Sequence, residues 1–154
     1  MYQRILVPID GSTTAEQGLS EAIRLAKLTG GQLRLLHVVE EVIFATGFEG
    51  YAAYAGDLIA ALVDSGKQLL AQAKARADAA GVKTDTVLTE GLAPSAAERV
   101  IEQAKSWPAD LIVLGTHGRR GARRLLLGSD AEQIVRMSPV PVLLVRAPEG
   151  AVKA

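Results

Sequence analysis

Five short apolar runs recur along the chain, and stretches with helical periodicity separate them. The runs cover residues 5–9, 33–39, 82–88, 110–114 and 140–145. Most are apolar almost throughout, as a strand buried on both faces must be; 82–88 alternates instead. A strand buried on both faces needs a covering layer on each side. The intervening helices supply it. The order β-α-β-α-β-α-β-α-β therefore predicts an α/β domain: a mostly parallel sheet, doubly wound through right-handed crossovers and sandwiched by helices.

The punctuation between runs agrees with this. Asp10-Gly11-Ser12 turns the chain, and Thr13 with Glu16 reads as a capping box opening a helix whose apolar stripe is Leu19, Ala22, Ile23 and Ala26. Gly30-Gly31 ends it. A long helix is expected over roughly 57–80, with Leu58, Leu62, Leu69 and Ala73 on one face and Gly81 after it. Ser95 with Glu98 is a second capping box, followed by Ala97, Val100, Ile101 and Ala104. Trp107-Pro108 stops that helix, and another is expected over 129–137. Residues 40–55, with Phe44, Phe48, Tyr51, Tyr54, Gly47 and Gly50, show no period and read as a loop or lid.

Length and composition narrow the class. At 154 residues the chain suits one domain, expected over 1–147 with a tail at 148–154. It contains no cysteine, which excludes disulfides, thiolate metal sites and cysteine nucleophiles, and fits a reducing compartment. Acidic and basic residues balance at 17 each, so no global field draws the chain to nucleic acid or to an anionic membrane. No secretory core follows the N-terminus, because Asp10 interrupts the first apolar run. No apolar run approaches the ~18 residues that a membrane span needs. The expectation is a cytoplasmic protein with neither membrane nor nucleic-acid partner.

The last run, 140–145, has no polar face, yet Pro141 cannot donate to a ladder. Proline directs it to a sheet edge. An exposed apolar edge calls for cover, either a second copy of the chain or the C-terminal tail.

Open parallel sheets bind ligands at strand C-termini, where the strand order reverses. Two loops carry suitable chemistry there: Asp10-Gly11-Ser12 after the first strand, and residues 115–129 after the fourth. Four of the chain's eleven arginines lie within 119–124, a local positive patch in a neutral chain. Glycines let backbone N–H groups approach an anion, and Gly128-Ser129 opens a helix whose N-terminus favours negative charge. Glycine, cation and helix start converge on phosphate. Neither the P-loop motif nor the dinucleotide G-x-G-x-x-G fingerprint is present.

What the chain does contain is G-x-x-G, nine residues, then G-S: Gly115, Gly118, Gly128 and Ser129. With the opening Ile5-Leu6-Val7-Pro8-Ile9-Asp10-Gly11-Ser12 and the closing Val140-Pro141-Val142-Leu143-Leu144-Val145, it resembles the universal stress protein family over essentially its whole length. The resemblance implies a single-domain, Rossmann-like five-stranded sheet of order 3-2-1-4-5, and a homodimer formed through the last strand. It also implies binding of ATP, or of ADP or AMP, with Mg2+. By position, Pro8, Ile9 and Asp10 would line the nucleotide, with Asp10 near the phosphates or the magnesium ion. Val38 or Val39 would flank the adenine. Leu114 and Gly115 would lie near ribose and phosphates, and Gly118, Gly128, Ser129 and the amides of Asp130 and Ala131 would hold the triphosphate. His117 and Arg119, in the same loop, are further candidates.

Several of these residues have a second reading. Ser129 with Glu132 could be a capping box that merely starts a helix. Asp10 could serve only the turn. Asp130 suits a helix N-terminus on its own account, yet it would repel a triphosphate unless turned outward or bridged by magnesium. His37 reads as structural, and with His117 far away in sequence a histidine metal cluster has little support. No Ser-His-Asp arrangement or carboxylate pair points to catalysis. The expected function is a nucleotide-binding stress-response switch with an unidentified protein partner. The alternative is a nucleotide-independent dimeric interaction module on the same fold.

Overall fold

A computed structural model describes residues 1–40, 51–91, 95–116 and 127–146. The elements in chain order are β1 (Arg4–Pro8), α1 (Thr13–Thr29), β2 (Gln32–Glu40), α2 (Tyr51–Ala79), β3 (Thr84–Gly91), α3 (Ala96–Ser106), β4 (Leu111–Gly115), α4 (Ser129–Met137) and β5 (Val142–Val145). The five strands form one parallel sheet in the order β3-β2-β1-β4-β5. The order reverses between β1 and β4, so the crevice of a doubly wound sheet lies at their C-terminal ends.

Strand alternation divides the core into two layers. Ile5, Val7, Ile9, Leu33, Leu35, Leu111 and Val113 pack against α1 and α2, through Leu19, Ala22, Ala26, Leu70, Ala73 and Ala77. Leu6, Leu36, Ile112 and Leu114 pack on the opposite face against Ala97, Val100, Ile101 and Ala104 of α3 and Ala131 and Ile134 of α4. The apolar stripes expected on the first and third helices are thus the buried ones.

Some local readings change. Ser12, not Thr13, is the N-cap of α1: its hydroxyl accepts from the Ala15 N–H at 3.1 Å. The cap sits one residue earlier because Asp10 Oδ1 accepts the Ser12 N–H at 2.8 Å and fixes the turn there. The Ser95–Glu98 capping box forms as expected. Helix α2 starts at Tyr51, six residues before the expected start, so 51–55 is helix rather than loop; Phe44, Gly47, Phe48 and Gly50 lie outside the described residues. β5 begins at Val142, leaving Pro141 ahead of the ladder, where its carbonyl accepts from the Ile112 N–H at 3.0 Å. β5 is an edge strand, as proline required, and Leu143 and Leu144 are exposed along it. Among the described residues no helix is long and apolar enough to cross a membrane.

Candidate functional site

Three chain segments meet at the C-terminal end of the sheet beside the switch point. The first is the exit of β1. The β1–β2 register runs from Arg4↔Gln32 to Pro8↔Leu36, and one further bond, Ile9 N–H to the Leu36 carbonyl at 2.8 Å, closes the ladder. Ile9 is buried, whereas Pro8 and the Asp10 side chain are half-buried. Asp10 serves the turn through Ser12, so the structural reading of this carboxylate holds beside any ligand role.

The second segment is the exit of β4 together with the start of α4. Thr116 is buried; its N–H donates to the Val145 carbonyl at 3.0 Å, and its carbonyl accepts from the Gly128 N–H at 2.9 Å. That bond closes the base of the glycine- and arginine-rich loop and sets the start of α4 beside the end of β4. The N-cap is Gly128, with φ −61° and ψ 150° and no side-chain capping bond. The capping role considered for Ser129 is therefore corrected: Ser129 lies inside the helix, and a residue without a side chain occupies the cap. The first turn of an α-helix leaves amides without intrahelical partners, which a side chain, water or an anion must satisfy. At α4 the cap residue offers no side chain to the backbone amides of Ser129, Asp130 and Ala131. Ser129 and Asp130 are exposed, and Ala131 is buried in the core.

The third segment is the end of β2. Val38 and Val39 face opposite ways. Val39 is buried, on the alternation of Leu33, Leu35 and His37. Val38 is half-buried against the α3/α4 layer, the same face as Leu114 and, by alternation from Leu6, Pro8. Of the two valines, Val38 is the one that shares a face with Leu114 and with α4. Its neighbour on β3 is Thr89, in register with it. The Thr89 hydroxyl is shielded from solvent and, among the described residues, has no hydrogen-bond partner. A threonine in an alternating strand carries no signal of its own, so Thr89 stands out only once the register is known. From β3 to β4 is three strand steps, roughly 14 Å at ~4.8 Å each, a span a nucleotide can cross with its base over β2 and its phosphates at α4.

The two described glycines of the motif differ in kind. A Cβ on Gly115 would stand 2.5 Å from Thr14 C, 2.6 Å from Thr14 O and 2.8 Å from Ala15 N, all backbone of the first turn of α1. Packing alone demands glycine there. Gly128 has torsions open to any L-residue, so its backbone makes no such demand. His117, Gly118, Arg119 and the other clustered arginines lie outside the described residues.

Asp10 also borders an open groove of about 310 Å³ on the α2 side, lined with Gly11 by Ser65, Gln68, Leu69 and Gln72. Among the described residues no group of three or more metal-ligating side chains forms.

Comparison with known proteins places these features in context. The model of the universal stress protein family matches residues 1–146. A universal stress protein of Methanocaldococcus jannaschii is 34% identical over 151 residues, covering 97% of this chain and 85% of its own. The structure of the universal stress protein UspA from Lactobacillus plantarum superposes with a TM-score of 0.83 at 26% identity, covering 94% of this chain and 98% of that one. A universal stress protein solved in complex with cAMP superposes with a TM-score of 0.65 at 25% identity, covering 94% and 97%.

Proposed function

The chain belongs to the universal stress protein family, and on that premise we propose that it is an ATP-binding regulatory protein rather than a dedicated catalyst. The observation that carries this reading is the start of α4. An amide-bearing helix end, capped by Gly128 without a side chain, opens beside the C-terminal ends of β1 and β4. Such an end is an anion site by hydrogen bonding and by helix dipole together. The complex of a relative with cAMP supports a nucleotide as the anion.

The residues present fit an adenine nucleotide. Pro8, Val38 and Leu114 offer apolar contact for the base and ribose, and the Thr89 hydroxyl beside Val38 is a polar group with no partner among the described residues. Ser129 and the amides of Asp130 and Ala131 would meet the phosphates, and ADP or AMP would use the same contacts less completely. The proposal extends to Gly118, His117 and Arg119. Mg2+ commonly needs only one or two carboxylates when phosphates supply the rest. Asp10 is the carboxylate in reach of the turn, and the exposed Asp130 would be tolerated when the ion bridges it.

The proposal includes a cytoplasmic homodimer built on the domain 1–147, with nucleotide state altering contact with a protein partner. The exposed Leu143 and Leu144 on β5, with Val135 and Met137 on α4, support a second copy as the cover for that edge. The same edge favours the other reading, an interaction module that ignores nucleotide. Isothermal titration with ATP and magnesium separates them. Saturable heat at millimolar ligand or below supports the switch; no heat and no thermal stabilisation leaves the interaction module.

A further inference from the structure

The buried imidazole of His37 plays no part in the nucleotide contacts above, yet it touches the chain at the point where β1 turns into the site. Its Nδ1 lies 2.7 Å from the Ile9 carbonyl oxygen. A carbonyl only accepts, so Nδ1 carries the hydrogen and donates.

The meaning of that bond follows from the ladder. The β1–β2 pairing ends with Ile9 N–H to the Leu36 carbonyl. In a continuing parallel ladder the Ile9 carbonyl would next accept a backbone N–H from β2. The His37 side chain takes that place. β1 can therefore leave the sheet without burying an unpartnered carbonyl, which would be costly. The departure is what carries Asp10 to the strand end, where Asp10 holds Ser12 and Ser12 caps α1.

The ring is held from behind as well. A Cβ on Gly66 of α2 would lie 2.5 Å from His37 Cδ2 and 3.0 Å from Nε2, and 3.0 Å from Leu88 Cδ1. Helix α2 thus closes directly on the imidazole, with glycine providing the room. The ring sits between α2 and the Ile9 carbonyl just past the end of β1.

We propose that His37 is a positioning residue for the nucleotide site, setting Ile9 and thereby the Asp10 turn, with Gly66 seating α2 against it. The ligand side of this inference rests on the nucleotide reading above; the positioning side does not.

The test compares wild type with His37→Phe and His37→Asn. Phenylalanine keeps a ring but removes the donor. Asparagine restores a donor at the same number of bonds from Cα. The first readout needs no ligand: amide hydrogen exchange in the full chain. His37→Phe is expected to speed exchange at Ser12 and Ala15 about tenfold relative to core amides such as Leu6 and Ile112, and His37→Asn to return it toward wild type. The second readout is affinity for ATP with magnesium, expected to weaken about tenfold in His37→Phe and to recover to within about threefold in His37→Asn. Uniform acceleration across all amides, or no change at Ser12 and Ala15, overturns the positioning role. If wild type binds no ATP, the nucleotide reading fails, and the exchange pattern still decides the role of His37.

Discussion

Substituting Gly115 by alanine isolates the packing argument from the ligand argument. The added methyl would stand 2.5, 2.6 and 2.8 Å from backbone atoms of Thr14 and Ala15. No rotamer change can relieve contacts with backbone, so the first turn of α1 must move by a good fraction of an ångström. Its freedom to do so is limited, because Gly18, one turn on, already brings α1 close to the same strand: a Cβ there would sit 3.3 Å from Gly115 N. Overpacking of this kind costs about 1–3 kcal/mol. A domain of this size loses about 2–4 °C of melting temperature per kcal/mol, so a 2 kcal/mol cost corresponds to a drop of about 6 °C. The assay is thermal and urea unfolding of ligand-free Gly115→Ala beside wild type, followed by circular dichroism. A melting temperature within 1 °C of wild type would mean that α1 accommodates the methyl group without strain and that packing does not demand glycine at 115. A variant that keeps its stability but loses ATP binding would show Gly115 to be a ligand glycine instead.

Other expectations follow from single contacts. Gly128→Ser supplies α4 with the side-chain cap it lacks, so ligand-free stability should stay level or rise by a few tenths of a kcal/mol while ATP affinity falls at least about tenfold; calorimetry checks both. Thr89→Val removes a buried hydroxyl that has no partner among the described residues, and should raise the ligand-free melting temperature by about 2–4 °C, equivalent to about 1 kcal/mol, with a loss of stability counting against it. The backbone N–H of Ser95, then its hydroxyl, donate to the Glu98 carboxylate and hold its pKa below the ordinary value of 4.5. The ionised form is therefore the one favoured in the folded state. Its stabilising contribution is complete above the unfolded value and is lost as pH falls through the lowered folded value. An NMR titration should place the Glu98 midpoint below 4.5, and Ser95→Ala, which removes the hydroxyl but keeps the backbone N–H, should raise it only part of the way back.

How much of this was legible in the sequence depends on whether the signal was local. The central strands were, because β1, β2 and β4 are largely buried runs, and so were the buried stripes of α1 and α3; β3 showed as an alternating run and β5 as an apolar run at an edge. Pro141 correctly marked β5 as an edge, since a missing N–H is visible in the residue itself. Helix starts were harder. Asp10 moved the cap of α1 from Thr13 to Ser12, and the bond from Gly128 to Thr116 moved Ser129 one place into α4. Both shifts come from contacts outside the four-residue capping pattern. Site residues divided in the same way. Gly115 belonged to a motif, but its reason for being glycine lies a hundred residues earlier in α1. Val38 and Val39 could not be told apart until strand alternation was anchored to the two core layers. Thr89 and Gly66 had no signature, because their significance comes from a register and from a helix face that only the folded chain defines.

In the proposed complex, phosphate binds at the start of α4 with the base over β2. Amide chemical-shift mapping of the isotopically labelled chain, titrated with ATP and magnesium, tests it most directly. Saturable shifts are expected at Ser129, Asp130 and Ala131, with Val38 and Asp10 moving at the same midpoint. Shifts confined to Ser65, Gln68 and Gln72 in the groove beside α2, or no shifts at millimolar ligand, would contradict it.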